Sequence, residues 1–319
     1  PIIKELADIL YKNKKNRGCP ELETSESKLI INDEDICVGV ERRTRGRSEE
    51  IIEDFMLVAN ECAARFGMDN NLPFVYRIHE EPSDEKLESL REALVKLNVQ
   101  YKLGEKACPG DMSEILKAAK GTDIDLIMNN IVLRSMSKAR YSTEPVGHFG
   151  LALEDYAHFT SPIRRYPDLQ IHRIIKDNLR GRLMREGRTE HYAEILDEVA
   201  RQSSVCERRA DEAERESDKL KKAEYMSYHL GEEFEGIISG VTGWGLYVEL
   251  PNTVEGLVHV NTLRDDYYIF DQETYELRGE MTKKVYKLGD KVCVRVADAD
   301  KMLKTVDFEL VSNVWDDEQ

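Results

Sequence analysis

The sequence predicts an α+β protein in two unlike parts, an α-rich stretch over residues 1–230 and a five-stranded β-barrel over residues 231–319. Two patterns carry that reading. Through His229, apolar residues recur mostly at helical spacing, with a few short extended runs between them. At Gly231 the texture changes abruptly to alternating β-type patterning, broken by turn residues. Composition sets the bounds: 319 residues with 41% hydrophobic content suffice for buried cores. No apolar run approaches the ~20 residues that a membrane-spanning helix needs, so a soluble protein is expected.

The elements follow in order. Ile2, Ile3, Leu6, Ile9 and Leu10 fit one helix over 2–15, closed by Arg17-Gly18. Two extended runs, 28–32 and 36–41, lead into the basic loop Arg42-Arg43-Thr44-Arg45-Gly46-Arg47, which reads either as solvated or as a phosphate contact. Ile51, Ile52, Phe55, Met56, Val58 and Ala59 mark a helix over 48–66, with Glu53, Asp54 and Asn60 on its other face. An extended piece over 74–78 sits between Pro73 and Pro82, and helical patterns cover 84–97, 112–120 and 125–139. The segment 147–153 reads as a strand; helices over 166–185 and 190–229 complete the α-rich part. Strands are expected at 234–239, 245–250, 256–260, 291–297 and 305–311, a count that fits a barrel of the OB type.

Charge and cysteine usage narrow the function. A net charge of −16 disfavours diffuse binding of a polyanion, so any nucleic-acid contact must be local, inside a groove or channel. The six cysteines form no CxxC pair or Cys/His cluster of zinc spacing, which implies reduced thiols and a cytoplasmic protein. No signal-peptide pattern opens the chain, and a start at Pro1 in place of Met suggests that something upstream has been removed.

The run from Gly147 to Leu153, followed by Tyr156-Ala157-His158-Phe159-Thr160-Ser161-Pro162-Ile163-Arg164-Arg165-Tyr166-Pro167-Asp168-Leu169 and His172-Arg173, closely resembles the signature of the ribonuclease II and ribonuclease R family. Ile52-Glu53-Asp54-Phe55-Met56, Arg77-Ile78-His79-Glu80, Leu133-Arg134-Ser135-Met136 and Glu207-Arg208-Arg209-Ala210-Asp211-Glu212-Ala213 resemble ribonuclease R segments in the same order. Residues 236–245 and 255–260 are similar to the S1 RNA-binding version of the OB fold. The resemblance implies the C-terminal part of an RNB catalytic domain followed by an S1 barrel, belonging to a processive 3′→5′ exoribonuclease. Such enzymes use divalent metals, usually Mg²⁺, and release nucleoside 5′-monophosphates from the 3′ end of single-stranded RNA. The family's metal-binding aspartate cluster has no counterpart in this sequence. This chain is therefore expected to be inactive alone and to need the missing N-terminal half of the catalytic domain, with neither membrane nor DNA as a partner.

The resemblance also assigns residues. Arg164 is expected at the scissile phosphodiester, where a guanidinium can donate two hydrogen bonds and offset developing charge. Arg165 and Arg173 flank the same helix start as backbone-phosphate contacts. Glu53 is expected to hydrogen-bond a ribose, with Asp54 as the one-residue alternative. Glu214 is assigned to the catalytic pocket, although Glu207 and Glu212 compete for the place. In the barrel, Trp244, Tyr247 and His259 are expected to stack on bases, with Arg264 and Lys283 or Lys284 near phosphate. Against this, residues 233–319 hold 9 Lys plus Arg and 18 Asp plus Glu, a poor general RNA surface. Asp123 and Asp125, and Asp298 and Asp300, imitate metal ligands but fit helix-start or ordinary surface roles better, and His148 and His158 read as structural. A non-catalytic S1-type RNA-binding or scaffold protein is the alternative function, and a split enzyme lies between the two.

Overall fold

A computed structural model describes residues 2–21, 26–122, 124–185, 187–271 and 274–313. Helix α1 (Ile2–Asn16) precedes a hairpin of β1 (Ser27–Ile31) and β2 (Cys37–Arg42), after which α2 (Arg47–Asp69) leads to β3 (Tyr76–Ile78). Helices α3 (Asp84–Lys96), α4 (Pro109–Ala119) and α5 (Asp125–Ser135) form a cluster around Leu87, Leu90, Met112, Ile115, Met128 and Val132. Strand β4 (Arg140–Ser142) returns antiparallel to β3. Helices α6 (Tyr166–Leu179) and α7 (Arg182–Arg185) then lead to α8 (Arg188–Ser227). The expected helix over 166–185 is divided because Gly181 adopts φ +66°, a left-handed conformation that ends α6.

The expected strand over 147–153 is instead a 3₁₀ turn at Phe149–Leu151, with His148 making isolated bridges to His79 and Leu153. A side chain explains the departure. His79 Nδ1 accepts the Gly150 N–H at 2.7 Å, so an imidazole occupies the place of a strand partner.

Helix α8 spans 40 residues, about 60 Å at 1.5 Å per residue. Its N-terminal half buries Tyr192, Leu196 and Ala200 beside Ile171 and Ile174 of α6, and its far end buries Ala223 and Met226 in a different core. The residues between them are largely exposed, so the helix bridges two cores.

The barrel closes as β5 (Glu233–Thr242), β6 (Gly245–Glu249), β7 (Glu255–His259), β12 (Thr305–Asn313) and β11 (Lys291–Asp300), with β11 returning to β5. All pairs are antiparallel except β7 with β12. Between β7 and β11 lies a three-stranded sheet that the sequence reading missed: β8 (Tyr268–Asp271), β9 (Glu276–Gly279) and β10 (Val285–Lys287). Tyr268, Leu277 and Tyr286, one from each strand, sink into the barrel core.

That core does not stop at Gly231. Cys37 and Val40 of β2, Ile127 of α5, and Ala223 and Met226 of α8 share it with the barrel's Ile238, Val248, Val258 and Phe308. Glu224 fastens the junction, accepting hydrogen bonds from the Cys37 N–H at 3.2 Å, from Lys221 at 3.0 Å and from Lys301 of the barrel. These donors, Lys301 foremost, hold its carboxyl down to about 2. The Lys304–Glu216 pair at 2.6 Å and the Lys222 bond to the Thr253 carbonyl at 2.8 Å add two more ties. The barrel is thus seated on α8 and β2 as well as joined to them by the chain.

Candidate functional site

The segment Phe159–Arg165 forms a loop leading into α6, fixed from beneath by three polar side chains. Asn60 of α2 is 3% exposed; its amide oxygen accepts the N–H groups of Phe159 at 2.9 Å and Thr160 at 3.2 Å, and its NH₂ donates to the Tyr156 hydroxyl at 3.0 Å. Asp168, fully buried in the first turn of α6, accepts the Ser161 N–H at 2.8 Å and two bonds from the Arg165 guanidinium at 3.1 and 2.7 Å. His172 stacks on Phe159 at 4.1 Å, and its Nε2 lies 2.9 Å from the Phe159 carbonyl, which requires the proton on Nε2. None of the three was assigned a role from sequence, although the i,i+3 spacing of Arg165 and Asp168 could have signalled their pair.

At the loop's tip Ile163 is fully exposed and Arg164 projects without a hydrogen-bond or ion-pair partner among the described residues. The two adjacent arginines therefore differ in kind. Arg165 has its guanidinium engaged by a buried carboxylate, whereas Arg164 offers all its donors to solvent or a ligand.

Behind the loop runs a ladder of aromatic rings. Tyr141 bonds His158 Nδ1 at 2.9 Å; His158 contacts Tyr156 at 5.7 Å, Tyr156 contacts His148 at 5.2 Å, and His148 contacts His79 at 5.1 Å between ring centroids. Burial is the main cause that drives His158 down to about 2 and His148 down to about 3, with nearby cations adding to it. Both rings are neutral and serve as packing. Arg77 caps the ladder, lying 4.7 Å over the Tyr141 ring and pairing with Glu207 at 2.6 Å.

The other assigned residues lie as follows. Glu53 is exposed on α2, with Arg45 at 3.7 Å. Its alternative, Asp54, is buried, and that burial pushes its carboxyl up. Arg173 is exposed on α6 and without a partner among the described residues. Of the three α8 candidates, Glu207 joins the ladder through Arg77, whereas Glu212 and Glu214 are exposed and unpaired among the described residues.

In the barrel, the Trp244 indole N–H donates to the Tyr247 hydroxyl at 3.1 Å, and the ring is 55% exposed. The Gly245–His259 pairing of β6 and β7 sets exposed His259 near these rings, and Arg264 is exposed in the loop beyond. Asp298 and Asp307 oppose each other across β11 and β12; burial first, then the Asp298 charge, pushes Asp307 up. Asp125 accepts the Gly121 N–H at 2.9 Å as a helix-start residue, and Asp123 lies outside the described residues. Among the described residues no three His, Cys, Asp or Glu side chains converge as a metal site, so their carboxylates do not fit a Mg²⁺ centre. None of the described helices is long and apolar enough to cross a membrane.

Residues 2–181 match the RNB domain and residues 227–310 the S1 RNA binding domain. Ribonuclease R 1 of Lactococcus lactis is 41% identical over 324 residues, covering 99% of this chain and 39% of that protein. Ribonuclease R of Escherichia coli is 39% identical over 326 residues, covering 98% and 40% respectively. The apo form of Mycoplasma genitalium RNase R superposes with a TM-score of 0.86 at 28% identity, over 96% of this chain and 48% of that one. The same enzyme in complex with ribose-methylated single-stranded RNA gives a TM-score of 0.86 at 29% identity. The chain spans about two fifths of the length of these curated relatives. With more than half its residues matched to that domain, the chain belongs to the RNB family, and its barrel is an S1 RNA binding domain.

Proposed function

We propose that this chain serves RNA degradation as part of a processive 3′→5′ hydrolytic exoribonuclease that releases nucleoside 5′-monophosphates in the cytoplasm. The observation that carries the reading is Arg164, an unpaired guanidinium at the tip of a loop held by Asn60, Asp168 and His172. A fork of donors carried on an anchored loop and left uncompensated fits a phosphodiester entering as the 3′ end of single-stranded RNA. Arg173 on the same helix, and Arg165 with whatever donor capacity Asp168 leaves it, would hold flanking phosphates. Glu53 would meet a ribose hydroxyl, and one of Glu207, Glu212 and Glu214 would face the pocket from α8. Trp244, Tyr247, His259 and Arg264 would hold the strand farther from its end. The metal, Mg²⁺ by family, would supply the attacking hydroxide and stabilise the leaving oxygen. Its carboxylate ligands would come from polypeptide outside this sequence, the other half of the catalytic domain.

The experiment exchanges this chain for the matching segment of the Lactococcus relative and follows nucleoside monophosphate release from a labelled oligoribonucleotide with Mg²⁺. The chimera is expected to degrade RNA and the 319-residue chain alone to release no monophosphate. Arg164→Ala in the chimera should lower kcat on the order of 10²–10³-fold with a smaller change in KM, the effect of removing a donor aimed at developing charge. Degradation by Arg164→Ala at the parent rate would overturn the assignment. Retained RNA binding by a chimera that never hydrolyses would favour the non-catalytic S1 binder.

A further inference from the structure

Glu224 is 5% exposed near the end of α8, and its two carboxylate oxygens serve different parts of the molecule. Oε2 accepts the Cys37 N–H of β2 at 3.2 Å and Lys221 at 3.0 Å, whereas Oε1 accepts Lys301 from the turn that joins β11 to β12. Lys221 also donates to the Asp35 carbonyl, so the hairpin of β1 and β2 is held twice. Lys304, at the far end of the same barrel turn, pairs with Glu216 at 2.6 Å. Glu216 and Glu224 are both on α8, about 12 Å apart along its axis at 1.5 Å per residue. Two attachments so spaced fix the rotation of the barrel on the helix as well as its position. The apolar contacts beside them, Ala223 and Met226 against Ile238 and Val258, do not, because apolar burial is non-directional.

We propose that Glu224 is a positioning residue that holds the barrel in one orientation on α8, so that the barrel and the Arg164 loop act on an RNA strand as one bivalent grip. A strand bound by one of two linked modules meets the other at a high effective concentration, and that advantage falls when the second module samples orientations that cannot engage. The orienting role stands on Glu224 and its partners alone; its use on RNA rests on the exonuclease reading above. Lys301 is the member of the device that can be removed without stranding a charge. Its side chain is half-exposed, and without it Glu224 keeps its bonds from Lys221 and the Cys37 N–H.

The test uses the 319-residue chain. Spin labels at exposed Cys206 of α8 and at Tyr267→Cys on the barrel, in a background of Cys62→Ser, Cys108→Ser and Cys293→Ser, report the distance between the two parts by double electron–electron resonance. The parent should give one narrow distribution, and Lys301→Ala and Glu224→Gln broad ones. Combining the two substitutions should broaden it no further than Glu224→Gln alone, since both remove the same tie. Thermal melts that match the parent show that each variant keeps its fold. Anisotropy with labelled oligouridylates of about 5 and about 20 nucleotides, the shorter within the reach of a single OB fold, then gives two Kd values. Both substitutions should weaken the longer strand about five- to tenfold and leave the shorter within about twofold. Glu224→Gln removes a negative charge, so its weaker binding cannot come from lost attraction to phosphate. Lys12→Ala on exposed α1 removes the same charge as Lys301→Ala and should change neither Kd. Narrow distributions in both variants, or equal proportional losses for the two strands, would overturn the proposal. If Arg164→Ala changes neither Kd while the spin labels respond to Lys301→Ala, the exonuclease reading fails at Arg164 and the orienting role of Glu224 stands.

Discussion

Two neighbouring arginines, Arg164 and Arg165, carry the same charge and meet opposite fates. Asp168 decides which. Its fully buried carboxylate takes two bonds from Arg165 and one from the Ser161 N–H, so Arg165 cannot swing out without leaving that carboxylate uncompensated in a dry site. Arg164, one residue earlier, lies on the outer side of the same turn. Asp168→Ala should therefore cost about 3–5 kcal/mol of stability, since it strands the Arg165 charge as well as deleting a loop anchor. Urea unfolding of the variant measures this, and a loss below about 1 kcal/mol would show that water already reaches the pair. The identity of the guanidinium-bearing motif was legible in the sequence because a long run of specific residues carried it. The division of labour within it was not, because it depends on which carboxylate a side chain can reach in three dimensions. The same holds on α8, where Glu207, Glu212 and Glu214 look alike in a charged helix and Arg77 at 2.6 Å distinguishes Glu207.

At the scale of elements, helices and barrel strands were legible wherever a period of 3.6 or 2 ran for several residues, as in α2, α8, β5 and β11. What escaped was short or held by side chains. Strands β8 to β10 have three or four residues each and bury a single ring or leucine apiece, too brief for alternation to register. The turn at Phe149–Leu151 was mistaken for a strand because its composition is apolar and β-prone, whereas the His79 imidazole dictates its shape. That turn yields a prediction. A Cβ built on Gly150 would sit 2.7 Å from His79 Nδ1, and His79 is itself buried, with its Nε2 held by the Ser137 carbonyl at 2.5 Å. Gly150→Ala must push that ring aside and break the bond from the Gly150 N–H, which should destabilise the fold by about 1–3 kcal/mol. The midpoint of urea unfolding reports it; an unchanged midpoint would mean that the His79 ring has room to move. Gly121, whose own Cβ would meet nothing within 4 Å, is the comparison position for the steric part of the effect, although its φ of +74° adds backbone strain on substitution.

For the molecule as a whole, the ring ladder and the shared core link the RNB part to conditions outside it. Sequence marked a change of texture at Gly231 but could not show that Cys37, Val40, Ala223 and Met226 pack into the barrel, because long-range packing leaves no periodic trace. The ladder has a consequence for acid stability. His148 and His158 are buried among Tyr156, Tyr141, His79 and the Arg77 and Arg165 cations, and their folded values of about 3 and about 2 lie far below the ~6.5 of an unfolded chain. Above pH ~6.5 both states are neutral and stability does not depend on these rings. Below it the unfolded chain binds protons at these two rings that the folded chain refuses, and burial lowers His79 in the same direction, so stability falls with pH until the folded values are reached. Each ring approaches about 1.4 kcal/mol per pH unit well below pH 6.5, which comes to about 3 kcal/mol for the pair between pH 6.5 and 5. The carboxylates held low by hydrogen bonds, Glu224 and Asp266 at about 2, lose their contribution only nearer pH 4, so they do not add to the decline in this window. Urea midpoints at pH 7, 6 and 5 should decline accordingly, and His148→Asn should make the decline shallower by one ring's share. A stability that stays level from pH 7 to 5 would show that the rings take up protons in place, and the ladder could then not be the dry packing unit behind the Arg164 loop.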